Sequence, residues 1–312
     1  MTHLLGSVWN SNDGIDFGFF ILRFYSLMFV IAFGLGWLIM KKIFDRENES
    51  QEKLDSMFIY SVLATLFGAR MGHVIFYQSD LFYTDPISIF LPIRTVPNFE
   101  FTGFQGLASH GAAISMIIFM FYFSKKIMKR PLLWVLDRVV IPVASGAVFV
   151  RLGNFFNSEI YGKVTSKEHF YAVKFIREEE TWRNQSVMQV TSGATKNQAY
   201  DLIQSDPRFI DTLNSIPYRH PAQLYEAFFY VFVFVILFFL YWKTDARKKP
   251  GFIFGVFMIL LWAIRFIVEF VKASQGGFEG KDPILSTGQW LSVPMILVGI
   301  YYVFTSKKEE TV

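Results

Sequence analysis

The sequence predicts an all-α integral membrane protein with seven transmembrane helices. Its N-terminus lies outside, its C-terminus is cytoplasmic, and a small extracytoplasmic head sits between the fourth and fifth helices. Three observations predict this. First, 53% of the 312 residues are hydrophobic and 19% aromatic, with 37 Phe, while only 18% are charged; soluble domains carry about 25% charged residues. Second, seven apolar segments, near 17–40, 55–78, 107–124, 132–150, 223–242, 251–272 and 289–305, have the length, or nearly so, to span about 30 Å of hydrocarbon. Backbone groups in lipid must be satisfied within the segment, so spans of this length are helices. Third, basic residues alternate between connections. The segments 41–53 and 124–131 and the stretch 243–250 each hold four Lys or Arg, and Lys307 and Lys308 follow in the tail, whereas 79–106 holds only Arg94 and 273–288 only Lys281. Basic loops stay cytoplasmic, which gives the same orientation as seven crossings.

The formal charge of +4 is what cytoplasmic loops supply, and no nucleic-acid partner is expected. The chain has no Cys, which excludes a disulfide framework, a Cys-ligated metal and a cysteine nucleophile of its own. The first fifteen residues contain no Lys or Arg and no long apolar core, so a cleavable signal peptide is not expected. No repeat or Ser/Gly-rich linker divides the chain. It reads as one membrane-embedded domain, 1–312, with residues 163–216 as the head insertion and 79–106 as an arm of short amphipathic pieces along the outer interface.

An ionisable group inside a span costs roughly 2.5–3.5 kcal/mol on insertion scales, so each needs a partner or a purpose. From the topology, Arg70 lies about 24 Å, Arg265 about 21 Å and Glu269 about 27 Å from the inner face. Arg151 ends the fourth span, and Arg23, Tyr25 and His110 fall in the outer half of theirs. Five helices therefore bring polar groups to one leaflet. Structural readings stand beside the functional ones: Arg265 and Glu269 at i, i+4 neutralise each other, His110 packs through a hydrogen bond, Tyr25 anchors at the interface and Arg23 snorkels. Asp137 and Arg138, near the inner end, stabilise helix packing, and Glu226 caps or orients. The stretch RLGNFFNSEIYG, Arg151 to Gly162, resists such a reading. Arg151 and Glu159 are able to pair, but Asn154 and Asn157 add amides with no structural need, and the glycines permit close approach or positive φ. Together they form a donor-rich rim for an anion, with Arg151 as a bidentate fork. At the outer leaflet that anion is a phospholipid phosphate.

The chain resembles the bacterial prolipoprotein diacylglyceryl transferases. The resemblance rests on Arg151, Gly153, Asn154, Phe155, Asn157, Glu159 and Gly162, with Val150 where the family usually has Gly. It extends to LRFYSLM around Tyr25, GARMG at Arg70, SHG at His110, RHPAQLYE at 219–226, RFIVEF at 265–270 and GQWLSVPMILVG near the end. Residues 163–216 match nothing in the family pattern. The resemblance implies a seven-helix enzyme of the bacterial inner membrane. It moves the diacylglyceryl group of phosphatidylglycerol onto the lipobox cysteine of a prolipoprotein, making a thioether and releasing glycerol 1-phosphate. It implies Arg151 and Arg265 as phosphate clamps, Asn154 and Tyr25 as orienting hydrogen bonders, Gly162 as backbone clearance, and Arg70 and Glu159 in substrate binding. His110 is the first candidate base, with Glu269 or Glu159 as alternatives. No metal or other cofactor is expected. A transporter or lipid-binding membrane protein with an outer-leaflet anion site is the main rival, and a metal-dependent phosphatidyltransferase is another.

Overall fold

The computed structural model describes residues 6–12, 14–18, 21–91, 93–101, 106, 108–192, 195–274 and 284–308. The N-terminal strand β1 (Ser7–Trp9) and the ribbon of β2 (Gly14–Asp16) and β3 (Ile21–Arg23) precede α1 (Phe24–Glu47) and α2 (Gln51–Tyr77). The arm follows as α3 (Leu81–Thr84), α4 (Ile87–Phe90) and the pair β4 (Ile93–Arg94) and β5 (Glu100–Phe101). Helix α5 (Ser109–Tyr122) runs into a π-helical turn, Phe123–Met128, and α6 (Leu132–Phe156) comes next. The head holds β6 (Val173–Phe175), α7 (Val187–Val190), α8 (Lys196–Ser205), α9 (Ile210–Ser215) and β7 (Tyr218–Arg219). Three helices complete the chain: α10 (Ala222–Lys243), α11 (Phe252–Val268) and α12 (Thr287–Thr305).

Among the described residues six helices are long and apolar enough to cross a membrane: Phe24–Glu47, Gln51–Tyr77, Gly111–Met128, Leu132–Phe156, Ala222–Lys243 and Thr287–Thr305. The seventh expected span is apolar but shorter. Phe252–Val268 has 17 residues, about 26 Å at 1.5 Å per residue. It ends before 272 because residues 271–273 leave the helix to pair with the start of the head, Lys163 N–H donating to Val271 O at 2.7 Å and Ala273 N–H to Tyr161 O at 3.2 Å. The mostly helical chain is consistent with an all-α membrane protein, and its described residues add a short three-stranded sheet and two two-stranded ribbons.

By its internal contacts the chain divides into two compact units, Met1–Gly36 with Val140–Val312, and Trp37–Val139. In the second unit α2 packs on α5 through glycines: a Cβ at Gly111 would lie 2.1 Å from Gly68 O, so backbones meet where side chains are absent. Ser50 caps α2, its hydroxyl accepting from Lys53 N–H and satisfying one of the orphan donors of the first turn. Arg138, of the Asp137–Arg138 pair expected to hold helices together, is ion-paired with Glu47 at 2.9 Å and lies over the Trp134 ring. Asp137 is fully buried.

In the first unit, α11 and α12 approach through Gly255 and Gly299, each of whose Cβ would meet the other's carbonyl oxygen at 2.8 and 2.7 Å. A capping box starts α12, with the Ser286 hydroxyl accepting from Gln289 N–H and the Gln289 side chain accepting from Ser286 N–H. The head is a small globule whose core is Ile176, Val187, Ala199, Tyr200, Ile203 and Ile216. Its sheet has the order β1-β6-β7, with β1 parallel to β6 and β6 antiparallel to β7. The N-terminal strand therefore belongs to the head, at the register Ser7 to Val173. Trp9 carries this strand down to α6, donating its indole N–H to Phe155 O at 3.1 Å.

Gly299→Val places a branched side chain against Gly255 O and Ile259. We expect it to cost about 1–3 kcal/mol by overpacking, measured as a lowered unfolding temperature of the purified protein in detergent.

Candidate active site

Arg151 and Asn154 stand one turn apart on one face of α6, close to its C-terminal end. The helix stops at Phe156, and the chain reverses through two residues in the left-handed region, Ser158 (φ 54°) and Ile160 (φ 59°). That reversal folds Glu159 back, its N–H donating to Asn154 O at 3.0 Å. A relay results: Arg151 Nη1 donates to Asn154 Oδ1 at 3.2 Å, and Asn154 Nδ2 donates to Glu159 Oε1 at 2.8 Å. The sequence suggested positive φ at the glycines, but the left-handed residues are Ser158 and Ile160. Gly153 and Gly162 instead supply clearance. A Cβ at Gly153 would lie 2.9 Å from the Tyr25 ring, and one at Gly162 would lie 2.5 Å from His220 Cβ and 2.6 Å from Val271 O.

The other elements close around this relay. From α1, Tyr25 hydrogen-bonds Asn154. From the first turns of α10, Glu226, 1% exposed, pairs through Oε2 with Arg151 Nε at 2.7 Å. One turn on, Tyr230 hydrogen-bonds Arg151, and Gln223 Nε2 donates to Glu159 O at 2.6 Å. From α11 come Arg265, half-buried in its last turn, then Glu269 and the buried Lys272, with 3.8 Å between Lys272 Nζ and Glu269 Oε2. Lys272 also lies within electrostatic reach of Glu226, Arg265 and Arg151. Gly288, in the first turn of α12, seats the Glu269 carboxylate; a Cβ there would fall 2.5–2.6 Å from its carbon and both oxygens. Outside the spans, burial and then the charge of His169 hold the His220 imidazole below its usual range. Its Nδ1 shares a hydrogen bond with Tyr225 Oη at 3.2 Å.

Three cations (Arg151, Arg265, Lys272) thus meet three carboxylates (Glu159, Glu226, Glu269). Several of their buried atoms have no hydrogen-bond partner: Arg265 Nε, Glu226 Oε1 and Glu269 Oε2. Gln223 Oε1 and Ser158 Oγ share that condition. Each such atom costs about 1–3 kcal/mol when left unsatisfied, and a cluster of them marks a place where a polar ligand completes the bonding.

Of the residues singled out from sequence, Tyr25, Arg151, Asn154, Glu159, Gly162, Arg265 and Glu269 fall in the first unit. The proposed Arg265–Glu269 neutralisation does not form among the described residues, where Glu269 faces Lys272 instead. Arg151 pairs with Glu226 rather than Glu159. Arg70 lies in the second unit, where its guanidinium donates to the carbonyl oxygens of Ile89 at 3.2 Å, Ser88 at 2.8 Å and Gly106 at 3.5 Å. His110 is in the first turn of α5, and its side chain lies outside the described residues. The sequence reading took Glu226 as a cap or orienting group, and its pair with Arg151 fits the second of these; Tyr230 and Lys272 it did not single out. Their signals were present as spacing: Tyr230 is i+4 from Glu226, and Lys272 is i+3 from Glu269.

Comparison with known proteins shows the family. The family model described as prolipoprotein diacylglyceryl transferase matches residues 14–305. The chain belongs to that family. A phosphatidylglycerol–prolipoprotein diacylglyceryl transferase of Tolumonas auensis is 35% identical over 303 residues, covering 97% of this chain and 98% of its own length. Proteins with the same name from Chloroherpeton thalassium and Bacteroides fragilis are 31% and 30% identical. They cover 96% and 100% of this chain, and 93% and 100% of their own lengths. The motif from Arg151 to Gly162 that carried the resemblance to the diacylglyceryl transferases is the segment that builds the relay.

Gly288→Val drives a side chain into the Glu269 carboxylate. Displacement of a site group by about 1 Å costs on the order of 100-fold in rate, so we expect lipid transfer to fall about that much while the protein still elutes as a folded species in detergent. Unchanged transfer would mean that Glu269 need not sit where Gly288 holds it.

Proposed function

We propose that the protein transfers the diacylglyceryl group of phosphatidylglycerol to the thiol of the lipobox cysteine of a prolipoprotein. The thiolate is the attacking form. Its sulfur forms a bond to the terminal glycerol carbon of the diacylglyceryl group, the bond from that carbon to the phosphate oxygen breaks, and glycerol 1-phosphate leaves with the electron pair. The thiol proton passes to a base. The observation that carries this reading is Arg151, held by Glu226 and Asn154 among buried atoms that lack partners, in a family whose relatives bear the transferase name. A guanidinium fixed in that way before substrate arrives is suited to the charge that develops on the departing phosphate. Arg265, whose Nε has no partner, is the second phosphate clamp, and Tyr25, Asn154 and Gly162 orient and clear space for the headgroup.

His110 remains the first candidate for the base. A second reading has its own support: Glu269 Oε2 is buried without a hydrogen-bond donor, which leaves that oxygen available to an incoming thiol. Arg70 is assigned to substrate binding through the family pattern. The protein is placed in the bacterial inner membrane with seven crossings, α11 serving as the short one, the N-terminus outside and the site toward the outer leaflet. The alternation of basic loops supports that placement.

Purified protein incubated with labelled phosphatidylglycerol and a lipobox peptide is expected to add one diacylglyceryl mass to the peptide. In the same assay Arg151→Ala is expected to lose at least about 100–1,000-fold, the scale of one removed transition-state donor; retained transfer would end the clamp assignment. For the base, His110→Gln and Glu269→Gln are compared across pH. The true base is the one whose loss removes the pH dependence of the rate, and an unchanged profile in His110→Gln excludes His110.

A further inference from the structure

The second unit contains a cavity of about 350 Å³ between the C-terminal half of α2 and the arm, within the range of roughly 300–1,000 Å³ for small-molecule sites. We propose that this cavity binds a phosphate ester through Arg70, His73 and Arg94. The proposal rests in part on the assignment of Arg70 to substrate binding made above, and it deepens that assignment by naming a site in the second unit besides the Arg151 cluster of the first.

Arg70 and His73, at i and i+3, face the cavity from one side of α2. Arg70 is held rigid by the three carbonyl oxygens already described, so its charge cannot swing away. The His73 imidazole makes no hydrogen bond among the described residues; its ring stacks on Tyr77 at 5.3 Å. Gly106, with φ of 69°, makes room for that ring, because a Cβ there would fall 2.4 Å from its Nε2. Arg94 enters from β4. Its contact with Glu100, 3.7 Å between two exposed groups, is too weak and solvated to hold it.

The cavity's carboxylate, Asp85, does not oppose an anion strongly. Its Oδ1 accepts from the Thr95 hydroxyl at 2.6 Å and its Oδ2 from Thr95 N–H at 2.7 Å, so its charge is answered by the arm itself. The cavity lining itself holds two arginines and one carboxylate, with the exposed Glu100 outside it. Leu81, Ile93 and Val96 line the remaining wall, and Phe82, Ile87 and Phe90 are exposed on the same arm. A phosphate with a short carbon skeleton fits this division, and its source is either a lipid headgroup or a free phosphate ester.

The test uses full-length protein in a neutral detergent, with dihexanoyl phosphatidylglycerol as probe and native mass spectrometry as readout. Arg151→Ala protein is expected to keep one bound equivalent. Adding Arg94→Gln, an exposed position, or His73→Leu to that background is expected to weaken it about tenfold or more, the scale of a charge-assisted hydrogen bond. Arg94→Lys is expected to restore part of the loss. Displacement by millimolar inorganic phosphate assigns the site to free phosphate esters; resistance to displacement assigns it to the lipid headgroup. Equal retention of dihexanoyl phosphatidylcholine, or unaltered affinity in the double variants, overturns the proposal. So does the absence of any such equivalent in protein that transfers lipid normally, and that result leaves the transfer reading intact.

Discussion

Arg151 and Glu226 are the pair around which the first unit is organised. Glu226 is buried and Arg151 largely so, and they lie 75 residues apart on α6 and α10 with 2.7 Å between charged atoms. Removing one partner of a buried pair costs about 3–5 kcal/mol, because the other is left uncompensated. The register of α10 against α6 is therefore restricted to the one that joins them, and the neighbours take their places from it. Tyr230 lies one turn beyond Glu226 and bonds the same guanidinium. Gln223, one turn before, reaches the Glu159 carbonyl oxygen. Asn154 then links Arg151 to Glu159.

This arrangement carries strain and unmet bonding together. Ser158 and Ile160 occupy the left-handed region, which costs non-glycine residues of order 1–3 kcal/mol each, and Ile is β-branched besides. The turn they make is what brings Glu159 to Asn154. Unpartnered atoms of Arg265, Glu226 and Glu269 lie in the same unit. A fold selected for stability alone would remove both features, so their coincidence at one cluster fits a site prepared for a charged substrate.

Much of this was legible in the sequence for a plain reason. Hydrophobic length is a local property, and six of the seven expected spans emerged from it. The seventh was overextended because apolar residues continue past Val268 while the backbone turns away to meet residues 161–163. The polar stretch from Arg151 to Gly162 stood out because its residues are contiguous. Partner identity was not legible. Arg265 and Glu269 share a face by spacing, yet Lys272 and Gly288 determine where the carboxylate rests. Glu226 read as a cap or an orienting group with no partner named, because only the folded chain brings Arg151 to it. The strand at Ser7–Trp9 was overlooked for a similar reason, since three residues carry no periodicity and their partner is 166 positions away.

Residues 161–164, 218–220 and 271–273 are stitched by backbone hydrogen bonds from Gly162 to His220, His220 to Lys163, Lys163 to Val271 and Ala273 to Tyr161. Three chain segments, one leaving α6, one entering α10 and one leaving α11, are thereby fastened at a common knot that uses main-chain atoms only. Beyond the knot, the head's interior of Ile176, Tyr200, Ile203 and their neighbours is self-contained. The head is in this sense a cassette, with a core of its own and a base fastened through backbone bonds that ask little of side-chain identity.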